Sequence, residues 1–134
     1  MKYLADTHIL IWALCDDPKL SGKCREILIN ADNTIFFSIV NVWEVGLKYA
    51  LHKESFVFSS ETFYALCNRS GYEMLNLTVE HVFAMESLKR SKDAPRHRDP
   101  FDRLLLAQAK TEEMYFISHD LLLNDYNESV LVSV

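Results

Sequence analysis

Two hydrophobic periods alternate along the chain. Strand-length apolar runs occur at Lys2-Tyr3-Leu4-Ala5-Asp6, Thr34-Ile35-Phe36-Phe37-Ser38, Glu73-Met74-Leu75-Asn76-Leu77, Met114-Tyr115-Phe116-Ile117-Ser118 and residues 130–134. Longer helical stretches lie between them. The first run turns at Asp6-Thr7 into Ile9-Leu10-Ile11-Trp12-Ala13-Leu14, which Asp16-Asp17-Pro18 stops. Ser21 is placed to cap a second helix to about residue 29, with Asn30-Ala31-Asp32-Asn33 as the turn after it. A third helix carries Val42, Trp43, Glu44, Val45, Leu47, Lys48, Tyr49 and Leu51, with Trp43 read as core. Phe56-Val57-Phe58 is an apolar link before a helix over residues 61–69, and Gly71 suits its end. Thr78 opens a further helix to about residue 89. The last long helix starts at Asp99-Pro100, a capping acid followed by a first-turn proline. Strands alternating with helices predict an α/β fold in one domain, residues 1–134, with a largely parallel sheet covered on both faces.

Composition narrows the partners. The 134 residues are 49% hydrophobic and 25% charged, the balance of a globular chain able to bury a core. The net charge of −5 excludes a generally basic nucleic-acid binder, so a polyanion would need a local positive patch or a bound cation. Cys15, Cys24 and Cys67 are odd in number and form no CxxC pair, as expected of reduced thiols in a cytoplasmic protein. Asp6 interrupts the opening apolar run and no run reaches membrane-spanning length, so neither a leader nor a membrane partner is expected.

The acids give the candidate chemistry. Asp6 ends one strand, Asp120 follows another, and Glu44 lies just past a third in an apolar surround. Asp102 shares a helical face with Leu105, Leu106 and Ala109. Carboxyl ends of parallel strands line one edge of an α/β sheet, where ligands bind. Asp102 joins that edge if the preceding connection brings its helix round. Carboxylates crowded there would raise one another's pKa unless a hard divalent cation with oxygen ligands, Mg²⁺ or Mn²⁺, neutralised them. Such a site activates water against phosphodiesters. Each acid also has a local alternative: an Asx turn at Asp6-Thr7, a surface position for Glu44, and helix capping by Asp99, Asp102 or Asp120.

Lys89 to Arg98 is the one clearly basic run. Lys89, Arg90, Lys92, Arg96 and Arg98, with Arg103 beyond them, are candidates to hold an RNA backbone, the alternative being a solvated loop. His97 fits a structural hydrogen bond at the turn better than a phosphate ligand.

Four segments carry a family resemblance. Leu4-Ala5-Asp6-Thr7-His8 resembles the opening of the PIN-domain ribonucleases of the VapC-like toxin type. Ser38-Ile39-Val40-Asn41-Val42-Trp43-Glu44 resembles the strand end and helix that bring the family's Glu. His97-Arg98-Asp99-Pro100-Phe101-Asp102-Arg103, with Ala107-Gln108-Ala109, resembles the His-x-Asp-Pro-Phe-Asp-Arg signature of one VapC-like subgroup. Phe116-Ile117-Ser118-His119-Asp120 resembles its Thr-x-Asp element, with Ser118 in place of Thr. Leu51-His52-Lys53-Glu54 departs from the Gly-Lys-Leu often found after the Glu helix. The resemblance implies a PIN-like three-layer α/β/α fold with strand order 3-2-1-4-5. It implies Asp6, Glu44, Asp102 and Asp120 as catalytic metal ligands, Asp99 as a further acid or a cap, and Thr7 and Ser118 in support. It also implies Mg²⁺- or Mn²⁺-dependent endonucleolytic cleavage of RNA, a small antitoxin as partner, and a homodimer. The competing readings are a housekeeping RNA-processing PIN nuclease and a non-catalytic binding module whose acids only cap helices. A phosphatase-like α/β domain is disfavoured, since no Asp-x-Asp follows the first strand.

Overall fold

Each crossover from strand to helix to strand returns the chain in the same direction, and every strand pairing is parallel. The computed structural model describes residues 1–51, 56–90, 92–93 and 99–134. Its five strands are β1 (Lys2–Ala5), β2 (Thr34–Ser38), β3 (Glu73–Leu75), β4 (Tyr115–Ser118) and β5 (Leu131–Ser133), in the spatial order β3-β2-β1-β4-β5. Among the described residues six α-helices connect them: α1 (Thr7–Cys15), α2 (Gly22–Ile29), α3 (Ile39–Leu51), α4 (Ser60–Arg69), α5 (Val79–Ser87) and α6 (Pro100–Thr111). A 3-10 turn over Leu121–Tyr126 leads into β5.

The two-residue period of β1 sorts the core into two layers. Leu4, set beside Phe36 and Phe116, faces the side covered by α5 and α6 and packs with Val40, Leu105 and Leu106. Tyr3 and Ala5 face the opposite side, with Ile9, Leu10, Phe37, Val45, Phe63 and Ile117. Leu4, Phe37, Phe116 and Ile117 are fully buried, and each such side chain contributes roughly 1.5–3 kcal/mol. The central position of β1 fixes where the following residue, Asp6, must stand.

Local chemistry sets the element ends. Ser21 and Ser59 cap α2 and α4 through their hydroxyls, and Thr78 forms a reciprocal capping box with His81 on α5. Asp16 closes α1 in the left-handed region, at φ 51°. Two elements are shorter than their patterns predict. β3 stops at Leu75 rather than residue 77, because its partner β2 ends at Ser38, opposite Leu75; the Asn76 carbonyl beyond it accepts from Gln108 Nε2 at 3.3 Å. α5 stops at Ser87, where Leu88 turns extended and buries its side chain. Cys24 and Cys67 are buried free thiols whose pKa values burial pushes up to about 11 and about 12, while Cys15 is exposed. Among the described residues, no helix is long and apolar enough to cross a membrane. Most of Leu51-His52-Lys53-Glu54 lies outside the described residues.

Candidate metal centre

A helix that precedes a parallel strand runs antiparallel to it, so its N-terminus falls at the sheet's carboxyl edge. The first turn of α6 therefore arrives beside the ends of β1 and β4. One carboxylate oxygen from each of Asp6, Glu44 and Asp102 lies within 4.8 Å of the others, and all three residues are buried.

Separate hydrogen bonds hold each acid. Asp6 precedes α1, but its side chain makes no capping bond to that helix. Its backbone N–H donates to Ile117 O at 2.9 Å, and its Oδ2 accepts from Ser118 Oγ at 2.7 Å. The Asp6 carboxylate also meets the Thr7 backbone N–H, so a local contact accompanies its long-range bond to Ser118.

Glu44 is 1% exposed, so it is not a surface acid. Thr7 Oγ1 donates to its Oε1 at 2.6 Å, and Lys48 Nζ, one helical turn on, binds its Oε2. Asn41 braces this arrangement. Its Nδ2 donates to Thr7 Oγ1 at 2.9 Å and to Ala5 O at 3.3 Å, while its Oδ1 accepts from Ser38 N at 2.6 Å. Ser38 Oγ in turn donates to Gln108 Oε1 on α6 at 2.6 Å. A buried polar network thus ties α1, α3 and α6 together behind the acids, and full satisfaction makes such a network rigid.

Capping falls to other acids. Asp99 Oδ1 accepts from Phe101 N at 2.9 Å and from Asp102 N at 3.3 Å, so Asp99 caps α6 while the Asp102 side chain turns inward. Asp120 caps the 3-10 turn through Leu122 N at 2.9 Å and also shares a side-chain hydrogen bond with Asp102. Of the four expected metal ligands, three form the close group. Asp120 stands beside them as their hydrogen-bonded neighbour.

The carboxylates open into a cleft of about 320 Å³ lined by Asp6, His8, Trp12, Asp99, Asp102, His119 and Asp120. Burial raises the Asp102 pKa to about 10, with further upward pushes from Asp6 and Asp99, the Asp120 hydrogen bond, and Glu44. Burial also raises Asp6; the Ser118 hydroxyl opposes this and the Glu44 charge adds to it. Desolvation would lower the Lys48 pKa, but its hydrogen bond to Glu44 and the charges of Glu44, Asp99 and Asp102 outweigh burial and raise it. Without a cation, the cluster thus retains a proton on Asp102 at neutral pH. Three oxygen donors that need positive charge fit a hard divalent ion.

The basic candidates are placed differently. Arg90, expected to face RNA, donates to Leu122 O at 2.6 Å and pairs with Asp125 at 3.1 Å, over the Tyr126 ring. It is a strut between the end of α5 and the 3-10 turn. Arg103 is half-buried against α5, with a long 3.5 Å contact to Met85 O. Lys89 and Lys92 are exposed, and Arg96, His97 and Arg98 lie outside the described residues. Trp43, expected in the core, is 53% exposed and meets Phe101 edge-on at 4.8 Å.

Asn41, Lys48, Gln108, His8, Trp12 and His119 had no assigned role in the sequence. Lys48 carried a signal, its i+4 spacing from Glu44, and Gln108 another, a polar residue amid Leu and Ala on a buried face.

A doubly wound parallel sheet with buried carboxylates clustered at the end of its central strand places a charged site at the edge where α/β sheets bind ligands. The sequence matches the PIN domain over residues 3–128, and the chain belongs to that family. No curated protein matches it significantly. Among solved structures, VapBC2 from Rickettsia felis, bound to a DNA fragment from its promoter, is similar in fold. Its TM-score is 0.68 and its identity 18%, with 100% of this chain and 98% of that one covered. VapBC-1 from nontypeable Haemophilus influenzae gives TM-score 0.66 at 15% identity, covering 99% and 98%. A toxin-antitoxin complex from Klebsiella pneumoniae gives 0.58 at 18% identity, covering 98% and 96%.

Proposed function

We propose that this protein is a metal-dependent endoribonuclease, a VapC-like toxin held in check by a small antitoxin. The observation that carries the reading is the convergence of Asp6, Glu44 and Asp102, from three separate elements, to within 4.8 Å in a buried site. Membership of the PIN family and the fold shared with VapBC complexes support it.

Asp6, Glu44 and Asp102 would hold the ion. A bound Mg²⁺ or Mn²⁺ supplies positive charge that neutralises these acids and polarises both the scissile phosphodiester and its attacking water. Thr7 and Lys48 fix the Glu44 carboxylate, and Ser118 fixes that of Asp6, so neither acid must reorganise during reaction. Asp120, in the cleft beside Asp102, would take the proton that the attacking water loses as its oxygen bonds to phosphorus, and the leaving oxygen would take up a proton from solvent as its P–O bond breaks. Asp99 combines capping of α6 with a place on the cleft wall. The chain acts in this reading as one domain, as a homodimer, in the cytoplasm, where its unpaired cysteines stay reduced. Arg96, Arg98, Arg103 and Lys92 remain the basic candidates for the RNA backbone.

Incubation of the purified protein with an RNA panel tests the reading. Cleavage in Mg²⁺ or Mn²⁺, lost with chelator and with Asp6→Asn, is the expected result. Metal-independent cleavage, or full activity of Asp6→Asn, refutes it. A short antitoxin gene beside this one, whose product co-purifies with the protein, distinguishes a toxin from a housekeeping nuclease.

A further inference from the structure

The cleft is lined by two unlike sets of side chains: the acids Asp6, Asp99, Asp102 and Asp120, and the rings of His8, Trp12 and His119. The Trp12 and His119 ring centroids are 5.3 Å apart at 74°, and those of His8 and Trp12 are 6.0 Å apart at 53°. Neither contact is face-to-face, so neither covers a ring face with a parallel ring. His8 and His119 are exposed and Trp12 is half-buried, packing one side against the core. His119 is oriented by Nδ1, which donates to the Val134 backbone oxygen at 3.1 Å, because a carbonyl can only accept.

Charge alone does not explain how this cleft would hold a polyanion. Among the described residues, its lining holds four carboxylates and two histidines but no lysine or arginine. Among these described lining residues, attraction beyond that of the cation comes from contacts that are not ionic. Aromatic faces supply it for nucleic acids, since every base has a π-face, and only an unpaired, splayed base can reach them.

We infer that Trp12, flanked by His8 and His119, is a stacking platform for one unpaired base of single-stranded RNA, next to the phosphodiester at the acid cluster. This rests on the ribonuclease reading and adds to it a subsite for one base beside the acid cluster. Trp12 and His119 are then positioning residues for substrate, separate from the carboxylates that do the chemistry.

The test uses a fluorescein-labelled, unstructured oligoribonucleotide, versions with single abasic positions, and its duplex. Binding is followed by anisotropy in Ca²⁺, which also takes oxygen ligands. In the wild type, one abasic position should weaken binding by at least about fivefold, and the duplex should bind more weakly than the single strand. Trp12→Ala should bind the intact strand as weakly as the wild type binds that abasic strand, and should no longer sense the missing base. Trp12→Phe should keep most of the affinity. His119→Ala, at an exposed position, gives a second readout free of core damage and should reduce abasic sensitivity. Undiminished abasic sensitivity in both Trp12→Ala and His119→Ala, or a duplex bound as tightly as the single strand, overturns the platform. If the wild type shows abasic sensitivity but cleaves nothing in Mg²⁺ or Mn²⁺, the ribonuclease reading fails and the platform stands.

Discussion

Replacing Asp102 by Asn should stabilise the metal-free protein, increasingly so as pH rises. Folded Asp102 titrates near 10, against an ordinary value of 3.8, because it is buried among other acids. Below about pH 4 the carboxyl is protonated in both folded and unfolded chains and costs nothing. Between about pH 4 and 10 only the folded chain keeps the proton, so wild-type stability falls by about 1.4 kcal/mol per pH unit. From pH 5 to 7 that is roughly 3 kcal/mol. For 134 residues, an unfolding entropy of about 2.1 cal/mol/K per residue converts each unit into about 5 °C of melting temperature. Asn is nearly isosteric with the neutral acid and does not titrate, so the melting-temperature gap between Asp102→Asn and wild type should widen by up to about 10 °C between pH 5 and 7. Differential scanning fluorimetry in chelator measures this gap directly, and titrations common to both proteins cancel. Mg²⁺ should then reverse the order, raising the wild type through RT ln(1 + [Mg²⁺]/Kd), about 2.7 kcal/mol at a hundredfold excess over Kd, and leaving the variant nearly unchanged. Parallel profiles for the two proteins across this pH range, or equal stabilisation of both by Mg²⁺, would refute a strained, cation-seeking Asp102.

Other expectations follow from the same geometry. Glu44→Gln should remove cleavage while the far-ultraviolet circular dichroism stays native. Asn41→Ala, which touches no cation but unties Thr7 from the Ser38 backbone, should weaken metal affinity by about 10–100-fold, measured by calorimetric titration. Asp99→Ala should cost roughly 0.5–2 kcal/mol in urea unfolding while Asp99→Asn is nearly neutral, and a stable Asp99→Asn protein that has lost cleavage would mean that Asp99 does more than cap α6. Lys48→Met, which strips the buried Glu44 of its counter-charge, should destabilise the metal-free protein by up to about 3 kcal/mol, an effect that saturating Mg²⁺ should shrink.

The strand pattern made the fold legible. Leu4, Phe36 and Phe116 are apolar because a parallel sheet buries both faces, and that signal is local. The inward turn of Glu44 was legible for the same reason, from the apolar residues around it. Asp120 was named at the same edge, but its double role was not legible, because a capping carboxylate and a cleft carboxylate look identical along a chain and here one side chain serves both purposes. Arg90 misled because a long side chain's direction depends on distant elements. Arg90 finds Leu122 and Asp125, more than thirty positions away, and no local pattern reports them. Trp43 sits on a stripe of α3 with Leu47 and Leu51 that stays exposed, although its composition reads as core. The Asn41–Ser38–Gln108 network spans seventy positions and emerges only when buried polar atoms must find partners.

The hydroxyl of Ser118 and the carboxylate of Asp6, 112 positions apart, define the span over which the cluster is assembled. Because β1 sits between β2 and β4, a ribosome-bound chain that has emerged only as far as α5 has the first two acids but not the third, and nothing to complete the central strand. The acid cluster is therefore complete only once α6 and β4 have been made, and no shorter N-terminal stretch holds all three of its carboxylates.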